Sequence, residues 1–297
     1  MTKMEAKMFS ATPEFQVGGQ KMGSTNEHLL SMIIAMRKLE KVQRTGAIIF
    51  MDIKACFDRV RLNDILVETV QAGVVGRPLK NIATYTDNLI IKMVGDSNMQ
   101  RKERISNSTG QGSGFAPVGT SLVMAKTLEM KIKSREMEER ASIINSVGGI
   151  TLHHNFFVDD LSKNCSDGKE LNLNGEIITE ALNELQLQAH PDKSGVLVYG
   201  KNREDFKKMI VSHPPQVQDF KLGFKEKETY LGMIFSCVGA EDSITLTIQN
   251  RRVRCLTKAA TIKRALADER MARFGWLAGA RLLHNSVIMS TLTYGAA

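Results

Sequence analysis

The sequence predicts an α+β fold: a sheet layer followed by a helical C-terminal module. Three observations carry the prediction. The run Ala47-Ile48-Ile49-Phe50-Met51 is short, apolar and partly β-branched, the pattern of a buried strand. After Pro117, the residues Val118, Leu122, Ala125, Leu128 and Ile132 recur at helical spacing, so a long helix separates predicted strands. From Gln249 onward the pattern is helical, and basic at first, with Arg251, Arg252, Arg254, Lys258, Lys263 and Arg264.

From the N-terminus, residues 24–43 read as a helix. Ser24 and Glu27 fit a capping box, and Leu29, Ile33 and Met36 share one face. Gly46 is a stop signal, and the apolar strand after it ends at Asp52. Asn63 is expected to cap the next helix, which carries Ile65, Leu66, Thr69 and Val70 and stops at Gly73. A polar loop and a strand then lead to Gly110-Gln111-Gly112-Ser113-Gly114. The long helix opened by Pro117 is expected to end at Gly148-Gly149. Residues 150–158 and 161–165 form a hairpin with Asp159 and Asp160 at its turn. Asp-Asp is a poor hairpin turn, where Asn-Gly or Asp-Gly is the favoured choice, and a locally poor residue points to function. A helix over about 176–188 has Ile178, Leu182 and Leu185 in register, and a strand follows around Val196 and Val198. Residues 230–237 and 243–248 read as a further pair of strands, with a boundary near 239–242.

The 297 residues suffice for one large domain or two modest ones, and 42% hydrophobic content allows a sizeable core. No apolar run approaches the roughly 18 residues of a membrane span, and no membrane partner is expected. The N-terminus has no apolar stretch of the signal-peptide kind. Net charge is +8, and residues 201–297, with 16 basic and 9 acidic residues, hold nearly all of the surplus. Such a segment suits a polyanion such as nucleic acid, and equally a solvated basic face. Cys56, Cys165, Cys237 and Cys255 form no CxxC pair, which argues against zinc and reads as reduced thiols of an intracellular protein.

The chemistry centres on acids at strand ends. Asp52 closes one strand, and Asp159 and Asp160 sit at a hairpin turn. Mg²⁺ takes carboxylate oxygens, with phosphates and water completing its octahedron. Two ions roughly 3.5–4 Å apart activate an attacking hydroxyl and stabilise a leaving oxygen in phosphoryl transfer. Acids from separate strands supply such a site if the strands are neighbours. An acid pair alone is more often solvated turn chemistry. Asp52 is more informative, because a charge after five apolar residues is costly to bury unpartnered.

An ordered set of short motifs resembles the reverse transcriptases of non-LTR (LINE-type) retrotransposons. The string from Phe50 through Asp52 to Phe57-Asp58-Arg59-Val60 resembles their first catalytic motif. Gly110-Gln111-Gly112 with Pro117 resembles a Gln-Gly turn opening a long helix, and Phe157-Val158-Asp159-Asp160 the aromatic-x-Asp-Asp hairpin. Pro191-Asp192-Lys193-Ser194 resembles the later lysine motif, Tyr230-Leu231-Gly232 the hairpin before the thumb, and Leu292-Thr293-Tyr294-Gly295 a thumb-side motif. Residues 16–28, with Gly23-Ser24-Thr25, are similar to the segment preceding the first motif, so the likeness runs from about Gln16 to Gly295.

The resemblance implies a right-hand polymerase fold: a partial fingers segment over 1–46, a palm with inserted fingers elements over 47–238, and a thumb-like basic module over 239–297. It implies RNA-directed DNA polymerisation with two Mg²⁺, or Mn²⁺ in their place, on an RNA template, a DNA primer and deoxynucleotides. Asp52 and Asp159 would ligate the metals, with Asp160 adjacent. Phe57 would be the gate that excludes a ribose 2′-hydroxyl, the other reading being a core aromatic. Gln111 and Gly112 would lie near nucleotide and template. Lys193 would donate a proton to pyrophosphate, or is a surface lysine. Tyr230, Leu231 and Gly232 would form the primer grip, or Tyr230 is a plain strand aromatic. The implied setting is a ribonucleoprotein of cytoplasm and nucleus. Against the family pattern, Cys56 replaces Ala, Ala116 replaces Ser, and Val158 replaces a smaller residue before the acids. The chain begins after the family's triphosphate-binding fingers residues, so an N-terminally truncated core is expected. The alternatives are an inactive nucleic-acid-binding fragment and a group II intron maturase-type protein.

Overall fold

Helices α1 (Lys3–Ala11) and α2 (Thr25–Lys41) precede strand β1 (Gly46–Met51). Next come α3 (Cys56–Arg59), α4 (Leu62–Gln71), α5 (Arg77–Asp87), strands β2 (Ile90–Val94) and β3 (Gln100–Arg104), and α6 (Ala116–Glu139). Strands β4 (Asn145–Val147), β5 (Ile150–Leu152), β6 (His154–Phe157) and β7 (Asp160–Cys165) lead to α7 (Gly168–Glu184), β8 (Gly195–Tyr199) and α8 (Arg203–Ser212). Short strands β9 (Gln216–Val217), β10 (Phe220–Lys221) and β11 (Phe224–Lys225) follow, then β12 (Lys227–Tyr230), β13 (Met233–Ser236) and α9 (Ala240–Leu266). The structure, a computed structural model, describes residues 3–13, 16, 25–87, 90–94, 100–104, 107, 116–139, 145–147, 150–152, 154–212 and 214–266.

The main sheet has the order β11-β8-β1-β7-β6. β1 lies at its centre, antiparallel to both β7 and β8. Its run is apolar throughout because both faces are covered. Ala47, Ile49 and Met51 pack with Val123, Met124 and Leu128 of α6 and Ile177, Ile178 and Leu182 of α7. Ile48 and Phe50 face the other way, onto Leu29, Met32 and Met36 of α2 and onto Tyr230 and Phe235 of the β12–β13 hairpin. The period-two alternation of a strand thus splits one apolar segment between two cores. A third, smaller cluster joins Met8 of α1 to Val118 and Leu122 of α6.

Several expectations need correcting. Helix α4 begins at Leu62 with Arg61, not Asn63, at its cap; Arg61 Nε donates to Asp64 Oδ2 at 2.7 Å. Val70 faces solvent. Helix α5 occupies what reads as a loop, and the β2–β3 hairpin follows it. Helix α6 ends at Glu139, well before Gly148-Gly149, which lie outside the described residues. Helix α7 starts at Gly168, a full two turns earlier than expected, because Asp167 Oδ1 accepts from Glu170 N at 2.8 Å and Glu170 reaches back to Ser166 N at 2.7 Å. Helix α8 is likewise unexpected.

The largest correction is at 243–248, which is helix and not strand. Gly239, at φ 143°, turns the chain where a Cβ would collide with the Glu40 carboxylate. That carboxylate accepts from Ala240 N at 2.9 Å and so caps α9 from α2. No helix among the described residues is long and apolar enough to cross a membrane.

Candidate active site

The register of two strand pairs assembles the acids. β1 pairs with β7 so that Met51 faces Leu161, and the next residues along are Asp52 and Asp160. β6 pairs with β7 up to Phe157 opposite Asp160, so the two-residue turn is Val158-Asp159 and not Asp159-Asp160. Asp160 is therefore the first residue of β7. Val158 has φ 62°, in the left-handed region that a β-branched residue avoids. This is the kind of position where a tight hairpin takes glycine.

The backbone of Asp52 is fixed by the loop before β8. Its carbonyl accepts from His190 N at 2.8 Å, and its N–H donates to Ser194 Oγ at 3.3 Å. Its side chain meets Lys193, with Nζ 3.3 Å from Oδ2. Lys193 is 62% exposed, so its ammonium stays in solvent contact. Lys225 Nζ holds the Lys193 carbonyl at 2.7 Å and pairs with Glu228. Asp52, Asp160, Asp192, Lys193, Lys225 and Tyr230 line one cleft of about 270 Å³.

Electrostatics follow from this crowding. Burial, then the charges of Asp159 and Asp52, push the Asp160 carboxyl up to about 6, while Lys193 pulls it down. The Asp159 carboxyl is also raised, first by burial and then by Asp52. The Cys56 thiol is pushed up by burial and by Asp159, so it stays protonated. Among the described residues no three His, Cys, Asp or Glu side chains form a ready-made metal cage. The donor set still suits a hard divalent cation, because carboxylates that raise one another's affinity for protons gain by sharing a cation instead.

Tyr230 is buried. Its ring lies 5.5 Å from that of Phe50, and its hydroxyl donates to Asp160 O at 3.2 Å and Asn155 O at 3.3 Å. It thus struts the hairpin that carries the acids. Leu231 and Gly232, at φ 46° and 79°, form the turn between β12 and β13. Phe57 sits in α3, half-buried, outside the three hydrophobic clusters of the described residues. Gln111 and Gly112 lie outside the described residues, as do residues 292–295. The sequence reading passed over Ser194, Lys225 and Gln16 as site residues. Gln16 is buried and bonds Val158 across 142 positions, a contact with no periodic signature.

The family model for reverse transcriptase (RNA-dependent DNA polymerase) matches residues 1–235. The chain belongs to the reverse transcriptase family. Reverse transcriptases are RNA-directed DNA polymerases. Among solved structures, apo telomerase from Candida tropicalis truncated from its C-terminal domain aligns with a TM-score of 0.54 at 13% identity, over 79% of this chain and 42% of that one. Telomerase from Candida tropicalis in complex with a TWJ fragment of telomeric RNA aligns at 0.54 and 12%, over 98% and 46%. Telomerase from Candida albicans with a TWJ fragment aligns at 0.52 and 9%, over 78% and 37%. These likenesses establish the right-hand polymerase fold. This reverse transcriptase spans less than half the length of those telomerase chains. No curated protein matches the sequence.

Proposed function

We propose that this reverse transcriptase chain extends a DNA primer on an RNA template by two-metal nucleotidyl transfer, as the polymerase core of a non-LTR retrotransposon acting in a ribonucleoprotein. The observation that carries the reading is the β1–β7 register, which sets Asp52 beside Asp160 and the Val158-Asp159 turn. The retrotransposon setting rests on the motif order from Phe50 to Gly232.

Asp52 and Asp159 would hold the two Mg²⁺, with Asp160 as the supporting acid. When bound, such ions make a primer 3′-hydroxyl a better nucleophile and neutralise charge at the α-phosphate. The protein's own part is positioning. Ser194 and His190 fix the Asp52 backbone, and Tyr230 holds the Asp160 carbonyl. Lys193, beside Asp52 and open to solvent, is sited to give a proton to the departing pyrophosphate. Phe57, half-buried in α3, would serve as the sugar gate. Leu231 and Gly232 would grip the primer, and Gln111 and Gly112 would meet nucleotide and template.

Primer extension on poly(rA)–oligo(dT) tests the reading. Asp52→Asn and Asp159→Asn should each cut Mg²⁺-dependent extension about a thousandfold or more, the loss of several kcal/mol of charge stabilisation, with an unchanged far-UV circular dichroism spectrum. Full activity in either variant sinks the assignment. Salt-sensitive template–primer binding without extension by the wild type would instead make the chain a binding module.

A further inference from the structure

Gln16 is fully buried, at 0% exposure. Its carboxamide straddles a single residue. Oε1 accepts from Val158 N at 3.0 Å, and Nε2 donates to Val158 O at 3.5 Å. The Gln16 backbone also bridges to Phe156 in parallel register. Among the described residues, β6 is the edge strand of the main sheet, so no described strand meets the outward polar groups near its end. Gln16 takes that place for one residue. The residue it holds is the one in the left-handed conformation, φ 62°, immediately before Asp159.

A β-branched side chain resists that conformation, and such a residue persists only where its surroundings over-determine it. Few side chains can meet both an N–H and a C=O of the same residue. A primary amide has one acceptor and two donors in one plane. Glutamate lacks the donor, and methionine fills a similar volume with neither bond.

We propose that Gln16 is a positioning residue for polymerisation: its carboxamide clamps Val158 in the left-handed conformation and so aims the Asp159 carboxylate. The catalytic half of this statement rests on the polymerase reading above. The clamp itself does not.

Hydrogen exchange of the Val158 amide and steady-state extension, both on the full chain, test it together. In Gln16→Met the Val158 amide should exchange at least tenfold faster, with rates in α6 and α7 unchanged. The kcat for nucleotide addition should fall about tenfold or more with KM for template–primer unchanged. Gln16→Glu, which keeps an acceptor for the Val158 N–H, should retain part of the protection. Val158→Gly, which removes the left-handed penalty, should restore kcat in the Gln16→Met background. Unchanged exchange at Val158 overturns the proposal, as does exchange that rises equally in α6 and α7, which would make Gln16 packing alone. Exchange needs no nucleotide. A wild-type chain that fails to extend a primer therefore refutes the polymerase reading while the exchange rates still decide the clamp.

Discussion

At the scale of single residues, the site concentrates like charge. Asp160 is held up to about 6 by burial, Asp159 and Asp52, whereas an unfolded aspartate titrates near 3.9. The folded chain therefore binds this proton more tightly, and stability from this group rises as pH falls. The cost of the buried charge is full above about 6 and vanishes as pH drops through that value toward about 4. Without divalent ions, lowering pH from 7 to 5 should raise the melting temperature more in the wild type than in Asp160→Asn, where nothing titrates at that position. Identical pH profiles for the two proteins would contradict the electrostatic account. Adding Mg²⁺ at pH 7 should stabilise the wild type more than Asp160→Asn, because an ion held by the acids would offset the repulsion between their ionised carboxylates. The acids were legible in the sequence, since a charge after five apolar residues asks for a partner. Their supports were not. Ser194, Lys225, Tyr230 and Gln16 each act on a backbone carbonyl or amide, and such contacts leave no spacing to read.

Among the elements, α9 teaches most. Ile244, Thr245, Thr247 and Ile248 are β-branched and read as strand, yet the segment is helical. Intrinsic preference is weak, and the tertiary setting overrides it. The i, i+4 pair Ser243 and Thr247 faces β13. Ser243 Oγ accepts from Ser236 N at 2.9 Å, and Thr247 Oγ1 accepts from Ile234 N at 2.9 Å. The two hydroxyls thus take the place of a neighbouring strand for β13. Thr247→Val should cost about 1–3 kcal/mol by leaving a strand N–H unpaired, read by urea unfolding, and Ser243→Ala should behave alike. Thr247→Ser keeps the hydroxyl and should stay close to wild type. A Thr247→Val protein as stable as Thr247→Ser would rule out the capping role. By contrast, α2, β1 and α6 were read correctly in kind, because each carries one regular apolar pattern.

For the whole molecule, the basic surplus becomes a surface. Arg252, Arg254, Lys258 and Arg264 are exposed along α9. If this face meets a template–primer backbone, log affinity falls linearly with log salt, and each neutralised contact lowers the slope by about one. Arg252→Ala/Arg254→Ala should therefore reduce the slope by about two while binding weakens alike on different sequences. An unchanged slope would leave these arginines as a solvated face. By itself the sequence determined the α+β class, the buried central strand, the long helix after Pro117 and the two separate sources of acid. Those features depend on local period and on charge next to apolar runs. Only the tertiary structure decided that the strands bearing the acids are neighbours, that the turn is Val158-Asp159, and that Tyr230 and Gln16 hold it. Strand order and register arise from packing both faces of β1 at once, onto α6 and α7 on one side and α2 on the other. That constraint joins residues far apart in the chain, so no local window contains it.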